Sequence, residues 1–312
     1  MATKNNFIIE LKDISKCYGF GDAASFAIKD CNLKVRRGEF IMIMGPSGCG
    51  KTTLLNIIGL LDKPSAGTYL LAGQPVSRIS ARKKARFRAT EIGFVFQSFN
   101  LIPNLSIIDN VALPLVYSGF SKTRRLKVAD KMLSHFHLQE REYYYPYQLS
   151  GGQQQRVAIA RSLVADPSII LADEPTGNLD SRASHIIMEE LSAIHGLGNT
   201  IIMVTHNPNL TTYATRVIAM LDGEIDSDIK TVDDRDLPKS QDEKRTQSDQ
   251  ETDAANKEVE REEQTGETKE KAKLEEGDET EEASQAKEKA AESEAKGAKA
   301  KRKEEGANGV TI

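Results

Sequence analysis

A glycine-rich loop between an apolar strand and an apolar helix constrains this chain more than any other segment. The loop reads Gly45-Pro46-Ser47-Gly48-Cys49-Gly50-Lys51-Thr52 and matches the pattern GxxxxGK[ST] in full. The run Phe40–Met44 before it is predicted to be a buried strand, and residues 53–61 after it a helix. Such a unit turns backbone N–H groups and a helix N-terminus towards phosphate oxygens. A chance glycine-rich turn is the alternative, and the flanking elements argue against it.

Two adjacent acids close a second apolar strand, predicted at residues 169–172. A parallel sheet gathers its ligand-binding groups at the carboxyl ends of the strands. Asp173 there suits a direct or water-mediated contact to Mg²⁺, and Glu174 suits a general base that polarises an attacking water. An exposed acidic turn is the alternative reading of this pair. With Lys51 reaching the β- and γ-phosphates and Thr52 on Mg²⁺, the residues predict a nucleotide-hydrolysing site.

Strands and helices alternate through the first two thirds of the chain, which predicts a mostly parallel sheet covered by helices. Further strands are expected at residues 7–11, 68–71, 92–97, 200–204 and 217–221, and further helices at 78–88 and 184–195. Residues 105–163 are mostly helical in pattern, broken by Pro114 and by turns at 118–121 and 143–146. A helical insertion is therefore expected at roughly 98–165.

Composition divides the chain into two unlike parts. Residues 239–312 carry 22 acidic and 15 basic side chains, no aromatic residue and only four large aliphatic ones. Such a segment cannot bury enough apolar surface to offset the entropy of ordering. We therefore predict residues 226–312 to be a low-complexity, charged and disordered tail. Its Ala, Glu and Lys runs have no repeating apolar face, so a coiled coil is not supported.

Several functional classes are disfavoured by what the sequence does not contain. Cys17, Cys31 and Cys49 show neither CxxC spacing nor a His cluster, so no zinc site or disulfide framework is indicated. Reduced thiols fit the cytosol. No apolar run approaches the roughly 20 residues that span a bilayer, and the N-terminus shows no signal-peptide pattern. The basic run at 78–88 is too small to argue for nucleic-acid binding, and no such partner is expected.

The octapeptide Leu-Ser-Gly-Gly-Gln-Gln-Gln-Arg at residues 149–156 lies between the phosphate loop and the acidic pair. This order of three motifs resembles the ATP-binding cassette (ABC) family over about residues 1–225. The resemblance implies an α/β fold of the P-loop NTPase type. It comprises a mostly parallel core sheet with helices, a small antiparallel β subdomain and a helical subdomain at roughly 98–165. It also implies ATP as ligand and Mg²⁺ as cofactor.

The same resemblance assigns residues to the site one by one. ATP is expected on Tyr18, Gly45, Pro46, Ser47, Gly48, Cys49, Gly50, Lys51, Thr52 and Thr53. Magnesium is expected on Thr52, Gln97 and Asp173, and the catalytic set is Glu174, His206, Lys51 and Gln97. Tyr18 would stack on adenine, although a packing tyrosine is the alternative. Gln97 resembles the Q-loop glutamine and Asp180 belongs to the D-loop. His206 resembles the switch histidine that contacts the γ-phosphate, with a structural or surface histidine as the alternative.

In this family the signature octapeptide of one cassette closes on the nucleotide of another. The resemblance therefore implies that Ser150, Gly151, Gly152 and Gln153 act in trans on ATP held by a second ABC subunit. A head-to-tail homodimer is expected, and a heterodimer stays open. A helix cap without a ligand is the alternative, because Ser150 precedes a predicted helix.

Residues 99–117, from Phe99 to Tyr117, are more apolar than a solvated loop should be. The resemblance implies that an integral membrane permease docks there, whereas core packing is the plainer explanation. Segments such as Gly-Phe-Val-Phe-Gln and Gly-Asn-Leu-Asp-Ser resemble the macrolide-exporter, lipoprotein-release and antimicrobial-peptide-export branch. The expected protein is an ATPase subunit on the cytoplasmic face of the cell membrane, driving export or extraction through a separate permease.

Two other functions remain as alternatives at this level. The first is a soluble ABC ATPase that acts on DNA or ribosomes. Its relatives carry long coiled coils, zinc modules or a second fused cassette, none of which the sequence shows. The second is a regulatory module without catalysis, which the intact Lys51, Asp173, Glu174 and His206 oppose. The transported substrate is not encoded in these residues, because its contacts would lie in another polypeptide.

Overall fold

The computed structural model describes residues 7–19 and 24–232, and they form the predicted α/β cassette of two sheets and six α-helices. The strands are β1 (Phe7–Tyr18), β2 (Ser25–Arg36), β3 (Phe40–Met44), β4 (Ala66–Leu71), β5 (Gln74–Pro75), β6 (Ile92–Phe96), β7 (Ile169–Asp173), β8 (Thr200–Val204), β9 (Arg216–Leu221) and β10 (Glu224–Lys230). The helices are α1 (Lys51–Ile58), α2 (Ala81–Thr90), α3 (Ile107–Tyr117), α4 (Lys122–His135), α5 (Gly151–Leu163) and α6 (Ser181–Gly196). From residue 233 onwards, the predicted charged tail lies outside the described residues.

The central sheet has the strand order β10-β9-β3-β8-β7-β6, in which only β10 runs antiparallel to its neighbour. Its inner strands are buried on both faces, as an apolar run without alternation predicts. Ile41 and Ile43 of β3 pack into one core, whereas Phe40 and Met42 pack into the other. Because successive side chains of a strand point to opposite faces, each inner strand contributes to both cores. The carboxyl ends of the parallel strands meet at one edge, where the acidic pair lies.

A second, antiparallel sheet with the order β2-β1-β4-β5 covers one of these cores. It confirms the small antiparallel subdomain of the expected fold. Strand β1 is twelve residues long, whereas the sequence predicted five. The prediction was too short because register shifts in the pairing with β2 interrupt the alternation of buried and exposed residues. Asp13 within it has a left-handed φ of 51°. The extra length matters for the site because it brings Tyr18 into the strand.

Helices α3, α4 and α5 occupy the 98–165 insertion and pack over the other face of the central sheet. The prediction that Pro114 interrupts the helical pattern is wrong, because α3 continues through it to Tyr117. Proline has no N–H to donate to the carbonyl four residues earlier, which belongs to Asn110. The fully buried Asn110 side chain forms four hydrogen bonds of 2.7–3.1 Å with the backbone of residues 102–106. These bonds fix the loop that leads into α3.

The folded part of the chain continues past the boundary expected at residue 225. That boundary falls inside β10, whose backbone pairs with β9 from Glu224↔Leu221 to Lys230↔Arg216. Arg216 also donates to the Asp228 carboxylate at 2.6 and 2.7 Å, so a charged side chain anchors the polar strand. Among residues 7–19 and 24–232, no helix combines the length and apolarity that a membrane span requires.

Candidate functional site

The phosphate loop connects the end of β3 with the start of α1, as the sequence predicts. Gly50 caps the helix in a left-handed conformation, with φ of 100°, and α1 then begins at Lys51. A Cβ on Gly50 would lie 2.2 Å from the Ala27 carbonyl oxygen, so the loop lies directly against β2. The buried Lys51 Nζ donates to the carbonyls of Gly45 and Pro46, each at 2.8 Å. The ammonium therefore lies inside the loop, where phosphate oxygens could accept the same hydrogens.

Asp173 ends β7 beside the start of α1. The Thr52 hydroxyl donates to its Oδ1 at 3.3 Å, which brings together two of the residues assigned to magnesium. Burial raises the pKa of Asp173 above its ordinary value, and the neighbouring Glu174 charge adds to the rise. The hydrogen bond from Thr52 and the charge of Lys51 oppose it. A carboxylate and a hydroxyl are oxygen ligands of the kind that Mg²⁺ prefers.

Glu174 follows with a left-handed backbone, φ of 44°, which is unusual for a residue other than glycine. Its N–H donates to the Val204 carbonyl at 3.0 Å, so the end of β8 holds it in place. His206 comes two residues after β8, and its Nδ1 lies 3.2 Å from Glu174 Oε1. The imidazole is mostly exposed. Because β7 and β8 are adjacent parallel strands, the structure brings together a candidate base and a candidate switch histidine from distant parts of the sequence.

A cavity of about 530 Å³ lies beside this pair. Its walls come from Glu174, the switch segment around His206, the start of α6 and the short helical turn Pro208–Tyr213. The side chain of Tyr213 donates to Glu189 Oε1 at 2.9 Å and lies 3.1 Å from His185 Nδ1. The turn that follows His206 is thereby tied to α6.

Gln97 follows β6, which pairs in parallel with β7 so that Phe96 faces Asp173. The glutamine is therefore one residue beyond the strand position opposite the magnesium candidate. A Cβ on Gly177 would lie 2.7 Å from Gln97 Nε2, and the Asn178 side chain donates to the Gln97 carbonyl at 3.0 Å. The Q-loop and D-loop segments are thus in direct contact.

The signature segment forms the N-terminus of α5, and its side chains form a reciprocal capping box. Ser150 Oγ accepts from the Gln153 N–H at 3.4 Å, and Gln153 Oε1 accepts from the Ser150 N–H at 3.0 Å. Asp180 caps α6 in a similar way, accepting from the Ala183 N–H at 2.8 Å. A cavity of about 360 Å³ lies between these two helix starts. No residue of the 45–52 loop lines this cavity, so the signature and the phosphate loop of the same chain do not share it.

Tyr18 ends β1 and is 47 % exposed, so it is not a packing tyrosine of the core. Its hydroxyl donates to Asp62 Oδ2 at 2.7 Å. The Thr53 side chain, in the first turn of α1, also interacts with this hydroxyl. Tyr18 therefore lies beside the helix that follows the phosphate loop.

Residues 99–117 include both core residues and exposed residues, so core packing explains only part of this apolar segment. Five residues of α3 are buried in the core, as the plainer explanation holds: Ile107, Ile108, Val111, Ala112 and Leu115. Ile102, Val116 and Tyr117 are exposed. Tyr117 borders a groove of about 1020 Å³. The other wall of this groove is formed by residues of α2, among them Arg82, Lys83 and Arg86. The sequence predicted a helix at 78–88 but no docking surface on it.

Sequence reasoning missed Arg161, a side chain that connects two parts of the site. Its guanidinium donates to the carbonyls of Asn100 at 2.6 Å and Phe99 at 2.9 Å. Burial lowers the pKa of this guanidinium. Arg161 lies on α5, eleven residues after Ser150, while Phe99 lies two residues after Gln97. A basic residue within an otherwise apolar helix segment was the one available signal.

A six-stranded sheet with a phosphate loop, an acidic strand end and a signature-bearing helical insertion defines a P-loop ATPase of the cassette class. Residues 28–177 match the family model described as ABC transporter. An uncharacterized ABC transporter ATP-binding protein of Methanocaldococcus jannaschii is 51 % identical over 218 residues, which cover 70 % of this chain and 97 % of that protein. This chain therefore belongs to the ABC transporter family and is an ABC ATPase with an ATP-binding cassette.

Two further relatives extend the comparison. A macrolide export ATP-binding/permease protein of Chlorobaculum tepidum is 48 % identical over 228 residues, covering 73 % of this chain but only 35 % of that protein. This chain thus spans about a third of the length of that relative. A solved dimeric, post-hydrolysis state of the ATP-binding cassette MJ0796, bound to ADP and Pi, matches with a TM-score of 0.67 and 42 % identity. The match covers 72 % of this chain and 99 % of the cassette.

Proposed function

We propose that this protein is the ATP-hydrolysing subunit of an ABC exporter, and that ATP-dependent closure of a dimer drives a separate membrane permease. The observation that carries the proposal is the contact of Glu174 with His206, 3.2 Å apart, next to the Thr52–Asp173 hydrogen bond at the same sheet edge. The relative named for macrolide export supports the exporter branch. The substrate itself is not assigned.

In the proposed site, the backbone N–H groups of the 45–52 loop and the N-terminus of α1 surround the phosphates of ATP. Lys51 exchanges its bonds to the Gly45 and Pro46 carbonyls for bonds to phosphate oxygens. Tyr18 stacks on the adenine, and Thr53 lies between the base and the phosphates. Thr52, Asp173 and Gln97 are the residues that would hold Mg²⁺, which would offset the negative charge of the phosphates when bound.

Hydrolysis is an in-line attack of water on the γ-phosphorus. A bond forms between the water oxygen and that phosphorus, and the bond from the phosphorus to the bridging oxygen of ADP breaks. Glu174 accepts the water proton, and its position in the wall of the adjacent cavity gives a water molecule room to reach it. His206 orients Glu174 through the 3.2 Å contact and donates to the γ-phosphate, while Lys51 stabilises the developing charge.

The signature acts on a nucleotide held by a second cassette, which we expect to be a second copy of this chain. This step rests on the separation of the signature cavity from the phosphate loop within one chain. The Ser150 hydroxyl and the N–H groups of Gly151 and Gly152 lie at the positive end of α5. They would close on the γ-phosphate of the partner's ATP. The dimeric state of the MJ0796 cassette supports this arrangement.

The permease is expected to dock at the groove between α2 and the end of α3. This groove combines the exposed Tyr117 with three cationic side chains of α2: Arg82, Lys83 and Arg86. An aromatic anchor beside charged groups favours a partner helix that has an apolar residue and carboxylates. Docking there would hold the cassette at the cytoplasmic face of the cell membrane as a peripheral subunit.

The hydrolytic assignment is tested with Glu174→Gln, which keeps the shape of the side chain and removes the base. We expect the ATPase rate to fall by about 100-fold or more. ATP binding should persist, and an ATP-dependent dimer should accumulate in size-exclusion chromatography. Glu140→Gln is the matched control, because this exposed residue lies after α4 and lines neither cavity. An unchanged ATPase rate in the Glu174 variant would contradict the assignment of Glu174 as the general base.

The docking assignment is tested by co-expression with the membrane protein encoded by the neighbouring reading frame. Tyr117→Ala and Arg86→Glu should each reduce co-purification of that permease. Tyr143→Ala is the control, because Tyr143 is similarly exposed, at 74 % against 72 %, but does not line the groove. Equal recovery of the permease with all three variants would place the docking surface elsewhere.

A further inference from the structure

The exposed ring of Tyr18 is held in a fixed orientation by two residues that no motif includes. Its hydroxyl donates to Asp62 Oδ2 at 2.7 Å, and Lys16 Nζ donates to the other carboxylate oxygen, also at 2.7 Å. Lys16 Nζ makes a second bond to the Lys63 carbonyl at 2.9 Å. Lys16 and Tyr18 are two positions apart in β1, so their side chains share a face of the strand.

The ammonium of Lys16 lies 4.7 Å from the centre of the Tyr18 ring and covers one of its faces. Together with the hydroxyl anchor, this contact limits rotation of the ring about its side-chain bonds. With one face covered, only the opposite face can receive a planar ligand, and the 47 % exposure of Tyr18 leaves accessible surface for one.

The anchor is charged at neutral pH. Burial alone would raise the pKa of Asp62, but hydrogen bonds from Lys16 and Tyr18 outweigh it, and the pKa lies below its ordinary value. The hydrogen bond to Asp62 is in turn the main cause that raises the pKa of Tyr18, so the hydroxyl keeps its proton. Bonds of this kind, between an ionised acceptor and its donors, are stronger than neutral ones.

We propose that Lys16 and Asp62 are positioning residues of the nucleotide-base site, which hold Tyr18 so that only its open face receives the purine of ATP. The inference rests on the proposed function, in which Tyr18 stacks on the base. A free tyrosine side chain loses rotamer freedom when a ligand immobilises it, and a ring that is already held avoids most of that loss. The bond of the hydroxyl to Asp62, in the loop after α1, sets the ring beside the helix that follows the phosphate loop.

A purely structural role is the competing explanation. The same bonds join the end of β1 to the loop after α1, so they could simply stabilise that junction. The two explanations differ in ligand dependence. A weakened junction would affect every ligand of the phosphate loop, whereas a disordered ring would affect only ligands that have a base.

The experiment compares binding of ATP and of inorganic tripolyphosphate to the full chain by calorimetry in the presence of Mg²⁺. The variants are Tyr18→Phe, Asp62→Asn and Lys16→Met, with Tyr18→Ala to remove the ring. Lys12→Met is the matched control, since it removes an exposed lysine of the same strand. Tyr18→Phe removes one hydroxyl from an exposed side chain and keeps the test decisive if an Asp62 variant does not fold.

We expect Tyr18→Ala to weaken ATP binding by about 5- to 150-fold, the range that base stacking on an aromatic ring supplies. The three anchor variants should weaken ATP binding by about 2- to 12-fold, the range set by the ordering of one side chain. Tripolyphosphate affinity should stay within about twofold in all of them, and Lys12→Met should change neither ligand.

Three outcomes would overturn the proposal in distinguishable ways. If Tyr18→Ala weakens ATP but the anchor variants do not, the base site stands and the positioning role fails. If Tyr18→Ala leaves ATP affinity unchanged, the base is not on Tyr18 and the assignment under the proposed function fails with it. If ATP and tripolyphosphate weaken in parallel, the anchor is structural.

Discussion

Glu174 has an unfavourable backbone conformation that hydrogen bonds to neighbouring segments hold in place. A left-handed φ of 44° costs a non-glycine residue on the order of 1–3 kcal/mol. It persists because its N–H donates to Val204 and its carbonyl accepts from Gly177, each at 3.0 Å. The sharp turn aims the carboxylate away from the strand and towards His206. Both strand ends therefore have to be in place before the candidate base is positioned.

At the residue scale, two glycines of the phosphate loop should respond differently to the same substitution. A Cβ on Gly50 would lie 2.2 Å from the backbone oxygen of Ala27, whereas one on Gly48 would meet nothing within 4 Å. Both residues have positive φ. We expect Gly48→Ala to cost about 1–2 kcal/mol from backbone strain alone, and Gly50→Ala about 3 kcal/mol or more. Urea unfolding of the two variants measures the difference, and equal losses would contradict it.

Glu190 should make stability fall as pH rises. Burial raises its pKa to about 7, with the charge of Arg156 opposing, and one carboxylate oxygen is buried without a partner among the described residues. Because the pKa of Glu190 is higher in the folded than in the unfolded protein, protonation of Glu190 stabilises the fold. This stabilisation is fully present below the unfolded pKa of 4.5 and is lost as the pH rises through about 7. The free energy of unfolding of Glu190→Gln should therefore exceed that of the wild type by about 1–2 kcal/mol near pH 8.5, after discounting for partial exposure. Near pH about 4.5 the two proteins should differ little.

Urea unfolding of Glu190→Gln and wild type at both pH values measures this effect. The matched control is Glu189→Gln, the exposed neighbour on the same helix. It should follow the pH dependence of the wild type. A constant difference between Glu190→Gln and wild type across the pH range would show that the ionisation of this carboxyl has no part in the stability change.

At the element scale, the Q-loop, the signature helix and the D-loop form one connected set of contacts. Arg161 of α5 holds the carbonyls of Phe99 and Asn100, whose φ values of 62° and 49° are both left-handed. The Phe99 ring lies 3.6 Å from where a Cβ on Gly151 would be. Movement of the loop after Gln97 should therefore be passed to α5, at its end through the Arg161 hydrogen bonds and near its start through the Phe99 ring beside Gly151.

Arg161→Lys should weaken this connection while keeping the charge, because an ammonium cannot donate in the planar fork of a guanidinium. We expect faster amide hydrogen exchange in residues 98–106. In a Glu174→Gln background, we expect about tenfold weaker ATP-dependent dimerisation, equivalent to about one charge-assisted hydrogen bond. Arg88→Met is the control, since it removes an arginine bond to the Leu60 carbonyl in another part of the fold. Unchanged exchange in the Arg161 variant would rule out this connection.

The elements that the sequence predicted well are those buried on both faces or bounded by clear signals. Residues 200–204 were predicted to be a strand from a continuous apolar run, and β8 has those bounds. Strands β2 and β10 went unpredicted because charged residues occupy their exposed faces. Their stability comes from pairing with neighbours that are distant in the chain, which no local pattern reports. Helix α3 runs through Pro114 for a similar reason, since packing of its apolar face outweighs a local helix-breaking signal.

The same distinction applies to the candidate site. The phosphate loop and the acidic pair follow strands, and the parallel sheet placed the acidic pair at its ligand-binding edge, whereas the resemblance to the ABC family assigned His206 to the same site. Lys16, Asp62 and Arg161 act through side chains that reach across the fold. Their partners are backbone carbonyls or a carboxylate dozens of positions away, and no spacing in the sequence marks them. Tertiary geometry alone identifies them.

At the scale of the whole molecule, the proposed function divides the reaction centre between two cassettes, because Ser150 does not line the cavity that Glu174 lines. Lys51 and Glu174 belong to the phosphate half, and Ser150 lines the other cavity, beside Asp180. A symmetric pair of cassettes arranged head to tail would join unlike halves at two equivalent sites. Mutations in the two halves should therefore complement each other between subunits.

The test mixes a Lys51→Met chain with a Ser150→Arg chain, each inactive as a homodimer because both of its sites carry a defect. In a mixed dimer, one site combines the two defects and the other is entirely wild type. Random pairing should restore up to about a quarter of wild-type ATPase activity, because half of the dimers are mixed and each has one intact site of two. If the signature served the nucleotide of its own chain, every site in the mixture would stay defective. ATPase activity no greater than the average of the two parents would therefore exclude the trans arrangement.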